Sequence, residues 1–140
     1  MDEFTTQNQS RKVDQLHLET NKWKSALRFG KDELVFLERL LNSYVFEPNT
    51  PNLFERLTDY QARLKRCVNL EMEVAGKLLD HEKNLGGMME CTDTECDLTY
   101  YRKHDQLKAE VVNFQESFAQ LKPEIFNYAG GILKMRKPQD

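Results

Sequence analysis

The three histidines are the residues of this 140-residue chain whose side chains most readily bind metals or exchange protons near neutral pH. They are His17, His81 and His104, and they lie far apart in the sequence. Two cysteines, Cys91 and Cys96, form a second candidate set within a polar segment. Imidazole, thiolate and carboxylate groups together make zinc sites, so the chemistry of these residues depends on the elements that position them.

Three long segments with helical periodicity are separated by two short segments rich in helix breakers. The first separator contains Pro48 and Pro51, and the second contains Gly86–Gly87. Ten positions in each long segment are spaced alternately by three and four residues, and eight, eight and nine of them are apolar. The positions begin at 13, 53 and 100 and end at 44, 85 and 132. This spacing is typical of the buried seam of a left-handed helical bundle.

The sequence therefore predicts an all-α protein, an elongated up-down-up three-helix bundle with coiled-coil-like packing. We expect helices over residues 11–46, 52–85 and 98–129. Short connections between long helices make sequence neighbours run antiparallel.

The helix ends are predicted from capping residues and from polar composition. Asn52 and Asp97 are the expected N-caps of the second and third helices, because their side chains can accept backbone hydrogen bonds. Pro123 predicts a kink or a short break in the third helix. We expect residues 1–10 to form a flexible N-terminus and residues 130–140 to form a basic, flexible C-terminal tail.

The expected register gathers the histidines at one end of the bundle. If the second connection is a simple turnaround, residues of the second and third helices whose numbers add to about 185 face each other, so His81 faces His104. The same reasoning places His17 at the height of His81, near the loop that carries Cys91 and Cys96. Two main interpretations stay open: a zinc or iron site completed by nearby carboxylates, or a neutral polar layer that fixes the register, with partial exposure to solvent as a third.

The cysteines give further alternatives. The spacing of Cys91 and Cys96 differs from the Cys-x-x-Cys redox motif, and their acidic neighbours disfavour a thiolate nucleophile. A facultative disulfide and a pair of metal ligands are the two roles left for them. With Cys67, the cysteines are three in number, which predicts no closed disulfide framework. The start of the sequence has no apolar signal segment, so we expect a cytoplasmic protein.

Composition and motifs exclude several classes of function. Twenty basic and 23 acidic residues give a net charge of −3, so nucleic-acid binding is not expected beyond weak contact through basic helix faces. No run approaches the ~20 apolar residues of a membrane-spanning helix. Only Asp14-x-x-His17 approximates the Glu-x-x-His pattern of di-iron bundles, and no phosphate loop or catalytic motif occurs. We predict a protein that is not an enzyme and has no cofactor, with zinc as the alternative.

The first helix is apolar beyond its seam. Phe29, Phe36 and Leu40 are the candidate protein-interaction residues, because two neighbouring helices do not require so wide an apolar stripe. Ordinary exposed apolar side chains are the alternative explanation. We predict a non-enzymatic interaction or scaffold protein that binds a protein partner or itself, and a homodimer in particular, with a metal-binding bundle as the alternative function.

The first helix also resembles a group of small uncharacterised bacterial helical-bundle proteins. The resemblance covers residues 16–24, Phe29 and two further stretches, and it extends to His104-Asp105-x-Leu107 in the third segment. The two stretches are Lys31-Asp32-Glu33-Leu34 and Glu38-Arg39-Leu40. It implies a helical bundle in a bacterial cytoplasm, and it carries no activity that could be transferred to this chain.

Overall fold

The fold is an all-α three-helix bundle, as predicted, with contacts between every pair of helices. The structure is a computed structural model that describes residues 3–43 and 48–135, and no strand occurs within these ranges. Its elements, in chain order, are α1 (Glu3–Leu41), α2 (Pro51–Asn84), a short 3₁₀ helix (Leu85–Glu90) and α3 (Thr94–Met135).

The predicted seam positions are the buried ones. In α1 the buried seam residues are 13, 16, 20, 27, 30, 34, 37 and 41. In α2 they are 57, 60, 64, 67, 71, 74, 78 and 81, followed by 85 at the start of the 3₁₀ helix, and in α3 they are 104, 107, 111, 114, 118, 121, 125, 128 and 132. Positions 23, 53 and 100 are half-buried. Alternating three- and four-residue steps keep one stripe of each helix facing its neighbours, which is why local spacing was sufficient to predict burial.

The chain divides into two compact units, and each unit contains a section of all three helices. Unit 1 comprises Met1–Arg28 and Met72–Asn113, and unit 2 comprises Phe29–Glu71 and Phe114–Asp140. Each has its own buried apolar residues. They include Val74, Leu78 and Leu107 in unit 1, and Leu34, Leu64 and Leu121 in unit 2.

Side-chain bonds within unit 1 show the directions of the helices. Lys12 Nζ of α1 donates to Asp97 Oδ2 of α3 at 2.9 Å, and His104 Nε2 of α3 lies 3.1 Å from Glu19 Oε2 of α1. Residue numbers rise together along the two helices, so α1 and α3 are parallel here. The short connections make α2 antiparallel to both, which is the predicted up-down-up order.

The N-cap of α2 differs from the prediction. Thr50 Oγ1 accepts a hydrogen bond from the backbone N–H of Leu53 at 3.2 Å, and Pro51 occupies the first helical position. Proline suits that position because its missing N–H would have no partner within the helix. Thr50 therefore caps the helix, and Asn52 lies inside it.

The N-cap of α3 also differs. Asp93 Oδ1 accepts a hydrogen bond from the backbone N–H of Cys96 at 2.8 Å, so the helix begins at Thr94. Asp97, the predicted cap, instead accepts hydrogen bonds from Lys12 and from Gln9 Nε2, the latter at 2.7 Å. The helix starts earlier than predicted because Asp93 lies three residues before Cys96 and can cap its backbone N–H.

The outer ends of α1 and α3 are longer than predicted. Helix α1 begins at Glu3, and Gln9, within the predicted flexible segment, is buried and donates through Nε2 to the Met88 carbonyl at 2.7 Å. The 3₁₀ helix thus supplies a surface against which this section of α1 packs. Residues 44–47, at the predicted end of the first helix, lie outside the described residues.

Helix α3 continues through Pro123 to Met135 without a break. Proline removes one backbone N–H, whose acceptor would be the carbonyl of Ala119. Both residues are exposed, so water can satisfy that carbonyl. Of the predicted basic tail, residues 136–140 lie outside the described residues. Over residues 3–43 and 48–135, no helix combines the length and apolar character needed to cross a membrane.

Glu71 is a buried acid in the seam of α2 within unit 2. Burial raises the pKa of its carboxyl group, and the nearby charge of Lys31 opposes this only in part. A carboxyl group whose pKa is higher in the folded chain than in the unfolded chain stabilises the fold at low pH. That contribution is lost as the pH rises through the folded-state pKa.

Replacing Glu71 by leucine is expected to stabilise the protein at neutral pH, because the buried carboxylate is removed from an apolar seam. The free energy of unfolding, measured by urea denaturation at pH 7, should rise by about 1 kcal/mol. The gain should shrink at pH 4, where the native carboxyl group is protonated. Glu116→Leu, at an exposed position of α3, is the matched control and should change stability little. A destabilised Glu71→Leu variant would contradict this account.

Candidate functional site

The two seam histidines meet as the register predicted. His81 of α2 and His104 of α3 are each 3% exposed, and His81 Nε2 lies 3.0 Å from His104 Nδ1. Their ring centroids are 5.2 Å apart. Both residues lie in unit 1, and each replaces an apolar residue in an otherwise apolar stripe. The predicted facing pair is therefore confirmed.

Helix α1 adds two side chains to this pair. Glu19 Oε2 lies 3.1 Å from His104 Nε2, and the Trp23 ring centroid lies 4.5 Å from that of His104. The sequence analysis missed Glu19, although it directly precedes the seam position Thr20. We call His81, His104, Glu19 and Trp23 the histidine cluster.

The acceptor at one end of the cluster determines the tautomers. An ionised carboxylate only accepts hydrogen bonds, so His104 Nε2 carries the proton and donates to Glu19. The Nδ1 atom of a neutral His104 is then an acceptor, and His81 Nε2 donates to it. The result is a directed chain of hydrogen bonds from α2 through α3 to α1.

The pKa of His81 is lowered from 6.5 to about 4, first because burial disfavours the charged ring and then because electrostatic interactions with His104, Lys103 and His17 disfavour a positive charge on it. Burial acts to raise the pKa of Glu19, but hydrogen bonds from His104 and Gln15 more than offset it, so this pKa lies below its usual value. Near neutral pH, His81 is thus neutral and Glu19 is ionised.

His17 does not occupy the predicted place. It is half-buried, and the α1 side chains that contact His104 are those of Glu19 and Trp23 instead. The prediction placed His17 level with His81, but the α1 ring that contacts the histidine pair is that of Trp23. His17 influences the pKa of His81 only electrostatically.

The reason is the geometry of the connection between α1 and α2. In unit 2, Gln61 Nε2 donates to Asn42 Oδ1 at 3.1 Å, so the end of α1 lies level with a point about ten residues inside α2. The first turns of α2 extend past that end and lie beside α3, where Tyr128 Oη donates to the Leu53 carbonyl at 3.2 Å. The register of α1 against α2 therefore differs from the one that a turn at the midpoint of the connection predicts.

The cysteines form a disulfide and are not metal ligands in this structure. Cys91 and Cys96 are bonded, with Cα atoms 5.4 Å apart, whereas Cys67 is free and buried. A disulfide was one of the two roles predicted for this pair, and the odd third cysteine is left as a thiol in the core. Cys91 packs in an apolar cluster with residues of α1 and the 3₁₀ helix. The other buried members are Val13, Leu16, Leu85 and Met88.

The geometry around the histidines favours hydrogen bonding over metal binding. The facing nitrogens of His81 and His104 are directed at each other rather than at a common point. Of the acids predicted nearby, Glu82 is paired with Lys24 at 2.7 Å. Within residues 3–43 and 48–135, no group of three or more histidine, cysteine or acidic side chains is arranged to hold a metal ion.

A second candidate site lies on unit 2, between α1 and α3. Phe29 and Phe36 of α1 and Phe126 of α3 are 67%, 56% and 47% exposed, and all three line one shallow cavity of about 270 Å³. We call these three residues the aromatic surface. The sequence analysis predicted Phe29 and Phe36 but missed Phe126, which follows the buried seam residue Ile125.

The third predicted interaction residue, Leu40, is half-buried and does not line this cavity. Charged side chains cross the floor of the aromatic surface. Lys122 Nζ donates to Glu33 Oε2 at 2.7 Å and lies 5.3 Å above the Phe118 ring, and Asp32 lines the same cavity. The cavity is therefore lined by exposed aromatic rings together with charged side chains.

Comparison of the chain with protein-family models, with curated proteins and with solved structures gives no match. The two candidate sites are therefore interpreted from their own geometry and chemistry.

Acidification is expected to destabilise the protein through His81. Its pKa is lower in the folded chain than in the unfolded chain, so the unfolded chain binds the extra proton first and stability falls as the pH drops below about 6.5. One group with this shift accounts for about 2 kcal/mol between pH 7.5 and pH 4.5. Urea denaturation of wild-type and His81→Gln protein across this range should show a shallower loss in the variant.

His17→Gln is the matched control for this measurement, because His17 lies outside the hydrogen-bond chain and its electrostatic effect on the pKa of His81 is the smallest of those named. It should keep most of the pH slope of the wild type. The carboxylates of Glu19 and Asp97 titrate in all three proteins, so the comparison isolates His81. Equal slopes in wild type and His81→Gln would show that His81 is not a buried neutral group.

Proposed function

We propose that this chain is a non-enzymatic interaction protein that binds a protein partner through the aromatic surface of unit 2. The observation that carries this proposal is the convergence of Phe29, Phe36 and Phe126 on one shallow cavity while each residue remains at least 47% exposed. Aromatic residues that face water at one place lose unfavourable hydration when a partner covers them. They are also enriched at the centres of protein interfaces.

The size of the aromatic surface supports a functional interpretation. Its three rings expose about 350 Å² of apolar area, taking about 200 Å² for a fully exposed phenylalanine side chain. Patches of this size on single domains often mark binding sites.

The histidine cluster supports a structural role rather than catalysis. His81 and His104 are buried, and three of their four ring nitrogens are used in bonds to each other and to Glu19. Among the described residues, none of these bonds involves a serine, threonine or cysteine nucleophile. Directed hydrogen bonding accounts for both buried imidazoles, which supports a structural role over zinc or iron binding.

The basic faces of the helices support solvated ion pairs rather than nucleic-acid contact. Lys24 is paired with Glu82 at 2.7 Å, and Arg63 is paired with Glu124 at 2.7 Å. Paired cations are less free to neutralise phosphates, so nucleic-acid binding is not part of the proposal.

The homodimer predicted from the sequence is one form that this binding can take. Stable interfaces bury about 800 Å² on each partner, more than twice the exposed apolar area of the aromatic surface. A dimer formed through this surface alone would therefore be weak. Sedimentation equilibrium of the full chain between 10 and 100 micromolar would measure it.

A cytoplasmic location is proposed from the sequence alone. The Cys91–Cys96 disulfide weighs against it, because structural disulfides are typical of oxidising compartments. In a reducing compartment, the same two residues would be thiols held close together by the start of α3.

Replacing Phe36 by serine is expected to abolish partner binding without unfolding the chain, because the side chain is exposed and contributes apolar contact area rather than core packing. Tagged wild-type protein should retain a specific partner from an extract of cells that naturally contain the chain, and Phe36→Ser should retain at least about tenfold less. Mass spectrometry of the bound fractions provides the measurement.

Phe54→Ser is the matched control. Phe54 is 59% exposed on α2 of unit 2 and does not line the aromatic surface. It should retain the partner as the wild type does. If all three proteins retain the same set, or none retains a specific partner, the aromatic surface is not a binding site.

A further inference from the structure

The aromatic surface is part of a longer groove between α1 and α3 of unit 2. Directly beside the buried seams, each helix has a second stripe with three- and four-residue steps. On α1 this stripe comprises Phe29, Glu33, Phe36 and Leu40. On α3 it comprises Ala119, Lys122, Phe126, Ala129 and Leu133. The Glu33–Lys122 bond joins the two stripes, so they border one groove, which we call the α1–α3 groove.

The other two helix pairs of unit 2 are joined by polar side chains. Asn42 and Gln61 are bonded at 3.1 Å between α1 and α2. Arg63 and Glu124 are bonded at 2.7 Å between α2 and α3. A polar bond also joins α1 to α3 through Glu33 and Lys122, but exposed aromatic rings lie beside it in one cavity. The α1–α3 groove thus combines an ion pair with exposed aromatic side chains.

The spacing of the groove matches that of a helix. Phe29 and Phe36 are separated by two helical turns, or about 10.5 Å along α1. Phe126 and Leu133 repeat the same spacing on α3, and Leu133 is 49% exposed. Two stripes with a seven-residue repeat on neighbouring helices form the holes into which the side chains of an additional helix insert.

The exposed area indicates which occupant fits. A second copy of the folded chain would need about 800 Å² on each side for a stable interface, and the aromatic surface offers about 350 Å². A single amphipathic helix of about three turns can bury its narrow apolar stripe within this area, because its own charged face remains in water. The limited area therefore favours a helix from a partner protein over a second copy of this chain.

The charges indicate the chemistry of that helix. Asp32 and Glu33 line the cavity together with Lys122, so the charged lining has a net charge of −1. Lys122 is already bonded to Glu33, which leaves the acidic side of α1 facing an incoming helix. Lysine or arginine beside the apolar stripe of that helix would complement this charge.

From these observations we infer that the partner presents an amphipathic helix with basic flanks, which lies in the α1–α3 groove of unit 2 as a fourth helix. This inference rests on the proposed function and adds the structure and charge of the partner segment. Phe29, Phe36 and Phe126 contact its apolar stripe, and Asp32 selects its basic flank.

A synthetic helix tests the inference without knowledge of the natural partner. The probe is a fluorescent three-heptad peptide with leucine at the first and fourth positions of each heptad, lysine on both flanks and alanine elsewhere. A second peptide has glutamate in place of lysine. Fluorescence anisotropy with the full chain should show binding of the lysine peptide, and amide shifts in NMR spectra should map to the α1–α3 groove.

Three variants make the result specific. Phe126→Ser should weaken binding of the lysine peptide by about tenfold or more, whereas Phe54→Ser should leave it unchanged. Asp32→Lys should reduce the preference for the lysine peptide over the glutamate peptide. Circular dichroism should show the wild-type helix content in each variant, since all three positions are exposed.

Absence of binding up to about 1 mM, or equal weakening by Phe126→Ser and Phe54→Ser, would overturn the inference. A partner that depends on Phe36 would still support the proposed function in that case, and only its helical, basic character would be wrong. If the lysine peptide binds as expected but the chain retains no Phe36-dependent partner from cells, the groove accepts a helix and the proposed cellular function fails.

Discussion

Burial of one continuous apolar stripe on each of three long helices is the constraint on which the rest of this structure depends. Alternating three- and four-residue steps keep each stripe on one side of its helix, so the stripes of all three helices can exclude water together. Burying one large aliphatic side chain contributes about 1.5–3 kcal/mol, and each stripe repeats this many times. Short-range preferences at helix ends, and even Pro123 within α3, are secondary to it.

The polar residues within the stripes show how this constraint can be relaxed. Thr20 is fully buried, and its hydroxyl group donates to the Leu16 carbonyl of its own helix at 2.8 Å. His81 and His104 are hydrogen-bonded to each other across two helices, and Glu19 from a third helix accepts a hydrogen bond from His104 Nε2. A hydrogen-bonded layer of this kind tolerates only one register, because sliding either helix by a turn would bury an imidazole against apolar side chains.

The residues directly beside the stripes decide what each groove can do. In unit 1, Lys12 with Asp97 and Glu19 with His104 join α1 to α3 through polar bonds. In unit 2, Glu33 and Lys122 form the equivalent bond, and Phe29 and Phe36 lie exposed beside it, so the groove between the same two helices also presents aromatic rings. The seam thus explains the fold, and the neighbouring positions carry the proposed function. The buried stripe stabilises the fold, whereas the exposed positions beside it can contact a partner.

The sequence alone determined the helical class and the buried positions, since burial follows from local periodicity whatever the neighbouring helix is. It also determined the pairing of His81 with His104, because the short second connection sets the register of α2 against α3. It also identified Phe29 and Phe36, because they widen the apolar side of the first helix. The tertiary structure decided the register of α1 against α2, which put Trp23 and Glu19 beside the histidines in place of His17. It also decided the Cys91–Cys96 bond and placed Phe126 in the same cavity as Phe29 and Phe36. The register of α1 against α2 and these contacts depend on how distant side chains fit together, and local spacing does not contain that information.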